Sequence, residues 1–425
     1  MDVAGVNGTP LPPANVENLR RQRSRGQLST TDPCHNSYGM PQPRLHSIDL
    51  LRGLVMILMA LDHVRDFFFT HTIDPTNLSQ TTPGLFFTRW ITHFCAPTFL
   101  LLAGIGAALS KIRGKPIGDL ARFLITRGFW LIFLEWAVVR TLGWAWNFDF
   151  TYLPCWVIWT LGWAMIVLGL LVRFPTWVIV VFGLTLIFGH HLTDHIKSTQ
   201  FGSWSWIWTF LHDPRDVTFF GIVLSAGYPL IPWIGVMAVG YGLGMSYRWE
   251  APHRRKLLMM LGTFCCVAFL FLRSGNAFGE NDHWQPQATM LKTVMSFINC
   301  TKQPPSLCYL LMTLGPALFL LAVFELEMGP WIRPIVTFGK VPMFYYLFHL
   351  PLIHALCVLA AWWQLGAFPH WLFTNPPLAD MPKEFGFPLS VTYGVWLLVL
   401  AILYPLCAWY AGVKQRNKSV LLSYV

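Results

Sequence analysis

The sequence predicts an all-α, polytopic integral membrane bundle of about ten transmembrane helices, and three observations carry that prediction. The chain of 425 residues is 54% hydrophobic and only 12% charged, with a mean hydropathy of +0.48, whereas about a quarter of the residues of a soluble domain are charged. Its apolar residues fall into about ten runs, each near the twenty residues that cross roughly 30 Å of hydrocarbon. Its basic residues, which give a net charge of +10, gather in short segments between those runs. They therefore mark topology rather than a nucleic-acid surface, and no nucleic-acid partner is expected.

Taken in order, residues 1–45 are rich in Pro, Asn, Ser, Thr and Gln, carry Arg20, Arg21, Arg23 and Arg25, and contain no apolar run. They predict a disordered basic tail facing an anionic cytoplasmic leaflet. A transmembrane domain follows over 46–425. Its spans are expected near 48–70, 86–109, 119–145, 153–172, 175–192, 222–247, 257–273, 305–325, 333–363 and 388–412. The basic stretches KIRGK at 111–115 with Arg122 and Arg127, RWEAPHRRK at 248–256 and KQRNK at 414–418, with Arg173, Arg333 and Lys340, then share one side with both termini. That side is cytoplasmic by the positive-inside rule. The opposite loops, near 193–221, 274–304 and 364–387, are rich in Trp, Phe and Pro, which suits an interfacial aromatic belt and also a sugar-binding surface.

The first span, SIDLLRGLVMILMALDHVRDFFFTH at 47–71, carries Asp49, Arg52, Asp62, His63, Arg65 and Asp66. Arg52 and His63 are eleven residues apart, so an α-helix brings them within about 20° of each other and roughly 16 Å along the axis. Ionisable groups at membrane depth are costly and mark functional sites. A neutral imidazole can take the proton of an attacking hydroxyl or amine, and an adjacent carboxylate would orient it. Asp66, three residues on, is the expected partner of His63; Asp62 points about 100° away.

Other spans add candidates. Arg89 and His93 stand at i and i+4, placed to join His63 or to bond a neighbouring helix. Glu135 is a carboxylate near mid-span, and Lys340, His349 and His354 follow in the ninth. His349 and His354 are five apart and do not converge as haem ligands. HHLTDH at 190–195 places His191 and His195 at metal-ligand spacing around Asp194, but no third ligand is evident and no metal is expected. The glycines of VGYGLG at 239–244 follow no strand and are packing residues. Nine cysteines are scattered without zinc spacing; Cys155 and Cys300 fall on one expected side, where a disulfide is a minor alternative.

These residues also carry a resemblance. The Arg52, Gly53 and His63 pattern is similar to that of acyltransferase-3-type membrane acyltransferases. The whole chain after residue 45 resembles more closely the bacterial membrane proteins grouped with the catalytic domain of lysosomal heparan-α-glucosaminide N-acetyltransferase. The likeness lies in SIDLLRGLVMILMALDH, APTFLLLAG, VIWTLGWAMIVLGLLVRFP, YPLIPWIGVMAVGYGLG and FGKVPMFYYLFHLPLIH. It implies acetyl transfer from cytosolic acetyl-CoA, the donor substrate, to a sugar or glycan beyond the bilayer, in a bacterial inner membrane. The lysosomal enzyme has Asn about where this chain has His63, and its essential His corresponds to His71, so the two families nominate different histidines.

The expected function is thus a membrane-embedded O- or N-acetyltransferase. His63 or His71 would serve as base, with Asp62, Asp66 and Glu135 beside it. Arg52, Asp49 and Lys340 would face CoA, while Arg89, His93 and His349 would face the acceptor. A transporter moving protons or a polar solute along the same ionisable face is the alternative. The oligomeric state is left open.

Overall fold

A computed structural model describes residues 46–70, 72–417 and 419. The expected basic tail over 1–45 and His71 lie outside the described residues. The described chain is mostly helical, with helices α1 (His46–Phe68), α2 (Pro83–Thr92), α3 (Cys95–Ile112) and α4 (Ile117–Leu134). A π-helix over Glu135–Trp144 extends α4. Then come α5 (Val157–Leu171), α6 (Thr176–Gly189), α7 (Ser205–Leu211), α8 (Leu230–Gly244) and α9 (Ala251–Gly275). The last are α10 (Met290–Ile298), α11 (Leu307–Val323), α12 (Arg333–Lys340), α13 (Pro342–Leu365) and α14 (Leu389–Arg416).

Helix ends follow local chemistry. Thr82, Thr289 and Ser306 cap α2, α10 and α11 by accepting the backbone N–H of Leu85, Lys292 and Tyr309, which satisfies donors that the first turn leaves open. α9 and α13 stop where Asn276 and Gly366 adopt left-handed backbone.

Six helical stretches among the described residues are long and apolar enough to cross a membrane: Pro83–Ile112, Thr176–Thr193, Leu230–Arg248, Ala251–Gly275, Pro342–Leu365 and Leu389–Arg416. The other four expected spans coincide with α1 and α4, which are more charged, and with α5 and α11, which are only 15 and 17 residues long. Two expected spans are also redrawn. The ninth divides at Val341 (φ −130°, ψ 51°) into α12 and α13. The sixth starts only at Leu230, because 222–225 form a strand.

That strand belongs to a small sheet which an all-helical expectation omits. β1 (Tyr152–Pro154) pairs in parallel with β3 (Ile222–Ser225), and β3 pairs antiparallel with β2 (Asp216–Phe219). The β2–β3 hairpin turns through Phe220 and Gly221, both at positive φ (50° and 81°), the two-residue loop whose twist matches paired strands. Cys155 and Cys300 are free and buried, with no disulfide between them.

The contact that places the site is between α1 and α12. A side chain at Gly53 would collide with the carbonyl of Ile335, and one at Gly339 with the carbonyl of Asp49. The two backbones therefore touch, as small residues allow between membrane helices. This contact carries Lys340, the next residue, to the Arg52 end of α1.

Candidate active site

One stripe of α1 builds the centre of the site. Arg52, Met56, Met59, His63 and Asp66 recur at helical spacing, within about 40° of a common line. Arg52, Met56 and Met59 line a cavity of about 390 Å³ together with Leu131 of α4, Ile158 of α5, Tyr346 of α13, and the cations Arg127, Lys340 and Lys414. Arg52 is held by Asp49 at 3.2 Å and by the Gly339 carbonyl at 3.1 Å. The expected grouping of Asp49, Arg52 and Lys340 is thus brought together, and two cations that sequence reasoning assigned to topology, Arg127 and Lys414, join it. A second cavity of about 350 Å³, lined by Thr337, Lys340, Lys414 and Gln415, shares two lysines with the first.

His63 lies one helical turn past Met59, and His349 lies one turn past Tyr346. Their rings meet: His63 Nδ1 is 2.7 Å from His349 Nε2, with ring centroids 4.9 Å apart. Hydrogen bonding assigns the protons. His349 Nδ1 is 2.7 Å from the Tyr346 carbonyl and 3.2 Å from that of Tyr345, and a carbonyl only accepts, so Nδ1 carries hydrogen. In the neutral ring Nε2 is then an acceptor, and His63 Nδ1–H must donate to it. This leaves His63 Nε2 as a bare lone pair, the form a general base requires. Trp144, the last residue of the π-helix, packs edge-on against His63 with centroids 5.2 Å apart.

The carboxylates are arranged differently from expectation. Asp66 pairs with Arg65 at 2.6 Å, so the partner of His63 is His349 and not Asp66. Asp62 is enclosed by Arg65 at 2.7 Å, Arg89 at 2.8 Å and the Thr92 hydroxyl at 2.8 Å; it fastens α1 to α2. Arg65 and Asp66 also line a separate cavity of about 210 Å³ with Phe69, Thr70 and Asp74, at the far end of α1. Along α1, His63 therefore lies between the residues that line the two cavities, Met59 on one side and Arg65 on the other.

Of the remaining candidates, Arg89 belongs to the Asp62 cluster. His93 is buried against Tyr309, whose hydroxyl donates to the His93 carbonyl at 2.8 Å. Glu135 is fully buried one turn past Leu131. Its carboxylate faces the first turn of α5 near the backbone of Ile158 and Trp159, yet neither of its oxygens has a hydrogen-bond partner among the described residues. His71 falls outside the described residues. His354 donates to the Gly143 carbonyl at 3.0 Å and stacks on Trp146, away from His63. One cation was not anticipated: Lys302, over the Tyr228 ring at 5.5 Å, acts electrostatically on Asp62, His63 and Arg89's neighbour His93. It arrives from a loop between helices, where no periodicity could have signalled it.

A comparison with curated proteins returns no match. The family model described as heparan-alpha-glucosaminide N-acetyltransferase, catalytic, matches residues 44–272, more than half of the 425-residue chain. That stretch holds Arg52, His63, Glu135 and most of the first cavity's lining. The match speaks for acetyl transfer and lends nothing to the solute-transport alternative. The chain belongs to the family of the heparan-alpha-glucosaminide N-acetyltransferase catalytic region.

Proposed function

We propose that this protein moves an acetyl group from acetyl-CoA, bound at the basic cavity, to a hydroxyl or amine of a sugar or glycan that approaches from the other end of α1. The single observation that carries the reading is the position of His63: along α1 between the residues that line the two cavities, with its Nε2 lone pair left bare by the bond to His349. The donor's phosphates would pair with Arg52, Lys340 and Lys414, charge-assisted contacts of the kind that select phosphate. Its pantetheine arm would run past Met56 and Met59 toward His63, a path of roughly 16 Å along α1. The second, polar cavity beside Lys340 and Lys414 would take the nucleotide.

In the reaction, the acceptor oxygen or nitrogen attacks the thioester carbonyl and gives its proton to His63 Nε2. The carbon–sulfur bond then breaks and CoA leaves as the thiol or thiolate. The His349 bond keeps the His63 ring oriented, and the charges of Asp62 and Asp66 favour the imidazolium that forms while those of Arg65 and Lys302 oppose it. Topologically, the reading puts the Arg52 end, with both termini, in the cytoplasm of a bacterial inner membrane, with about ten crossings.

The test is acetyl-CoA binding to detergent-solubilised protein by calorimetry, wild type against Arg52→Ala and Lys340→Ala. Saturable binding weakened about tenfold or more by either change supports the reading. Absence of binding by the wild type, or equal affinities throughout, overturns it.

A further inference from the structure

A second group of ionisable side chains lies outside the acetyl-transfer site. It gathers four segments that the sequence keeps apart. His190, His191 and Asp194 follow α6, His212 follows α7, Asn281 lies beyond α9, and Leu307 opens α11. The sequence pointed to His191 and His195 around Asp194 and found no third partner. The structure leaves His195 exposed and brings in His212 instead.

Hydrogen bonds again fix the protons. The Leu307 backbone N–H points at His191 Nε2 from 2.7 Å, so Nε2 is an acceptor and His191 Nδ1 carries the hydrogen, donated to Asp194 Oδ2 at 2.7 Å. A metal cannot take the Nδ1 position of that ring without a proton moving to Nε2, against the Leu307 donor. His191 is thereby an outer support for the carboxylate. Asn281 Nδ2 donates to the same oxygen at 2.8 Å. The other oxygen, Oδ1, faces His212 Nε2 at 2.8 Å.

What remains is unsatisfied. His190 is 3% exposed, and neither of its ring nitrogens has a hydrogen-bond partner among the described residues. Its ring centroid is 4.2 Å from that of His191 and 5.5 Å from that of His212. His212 is also 3% exposed, and its Nδ1 is unpartnered. One donor atom each of His190, His191 and Asp194 lie within 4.8 Å of one another. Leaving a buried polar nitrogen without a partner costs about 1–3 kcal/mol, and an ion that accepts the lone pair of His190 removes that cost at one of its two nitrogens.

We infer that His190, Asp194 Oδ1 and His212 Nε2 form a binding site for a zinc-type divalent cation, with His191 and Asn281 fixing the carboxylate from behind. Two imidazoles and a carboxylate are a donor set suited to Zn²⁺, with solvent in the fourth position. The hydrogen-bonded carboxylate is the outer support such sites carry. On binding, the neutral His212 ring moves its hydrogen from Nε2 to Nδ1 and no net proton is released. Zinc–ligand bonds near 2.1 Å place donor atoms about 3.4 Å apart in a tetrahedron. The His212–Asp194 pair therefore opens by about half an ångström and the His190 ring swings inward. The ion would tie the exit of α6 to the segments after α7 and α9 and to the start of α11.

The test is calorimetric titration of chelator-treated, detergent-solubilised full-length protein with ZnCl₂. Wild type is compared with His190→Ala and with the exposed-residue control His195→Ala. One strong site per chain, weakened about tenfold or more by His190→Ala but not by His195→Ala, is expected, with a zinc-dependent rise in melting temperature that His190→Ala loses. Should His190→Ala fail to fold, Co²⁺ loading of the wild type replaces it as the readout, and intense tetrahedral visible absorption displaced by Zn²⁺ is expected. No strong site, equal binding by wild type and His190→Ala, or a Co²⁺ complex without tetrahedral bands overturns the inference.

Discussion

Replacing His349 tests the proton assignment at His63 without touching the proposed base. His349→Ala removes the acceptor 2.7 Å from His63 Nδ1, a buried hydrogen bond worth about 0.5–1.5 kcal/mol net. That bond selects the ring form with Nε2 bare, so its loss lowers the competent population and loosens the ring at once. At about 1.4 kcal/mol per tenfold in rate, the expected fall in kcat is about tenfold, with little change in KM for acetyl-CoA because His349 does not line the basic cavity proposed to bind it. His349→Gln offers an amide oxygen near the former Nε2 and should recover most of the rate. The assay is acetyl transfer from labelled acetyl-CoA by purified protein to a panel of amino sugars and glycans. Equal losses in both variants, or no loss in either, would refute the proposed role of His349.

Three further outcomes follow from packing and charge. Gly339→Ala forces a methyl into the Asp49 carbonyl, and overpacking of this kind costs about 1–3 kcal/mol; the melting temperature in detergent should fall, and an unchanged value would contradict the backbone contact. Asp62→Asn leaves Arg65 and Arg89 facing each other without their shared carboxylate, a loss of about 3–5 kcal/mol when one partner of a buried pair is removed, read as lower thermal stability before any loss of acetyl-CoA binding. Burial pushes the Cys300 thiol well above its ordinary range, so it stays protonated at neutral pH. Native protein should therefore not be alkylated at Cys300 by a maleimide until it unfolds, and mass spectrometry of the labelled peptides checks this.

Much of the Arg52 end of the candidate site was legible in the sequence, because it depends on one helix. The spacing of Arg52 and His63 fixes their common face, and Lys340 joins them through a glycine contact that the FGK stretch permits. What the sequence could not supply was partnership across long separations. His349 was singled out, but its bond to His63 spans 286 residues, and no local pattern announces such a pair. Asp66 was assigned to His63 on spacing alone; Arg65, its immediate neighbour, takes it first. Arg127 and Lys414 were explained by membrane topology, and nothing in their spacing separates a topology charge from a cavity charge. The three-stranded sheet was missed because its strands are three or four residues long, although the Phe220–Gly221 turn between two β-branched runs was a usable hairpin signal.

The central claim is that His63 takes the acceptor's proton, and it is tested most directly by acetyl transfer in proteoliposomes with labelled acetyl-CoA on one side and acceptor on the other. His63→Ala should bind acetyl-CoA as the wild type does yet lose transfer by about 10²–10⁴-fold, while His71→Ala keeps it. Full transfer by His63→Ala, with loss in His71→Ala, would contradict the account.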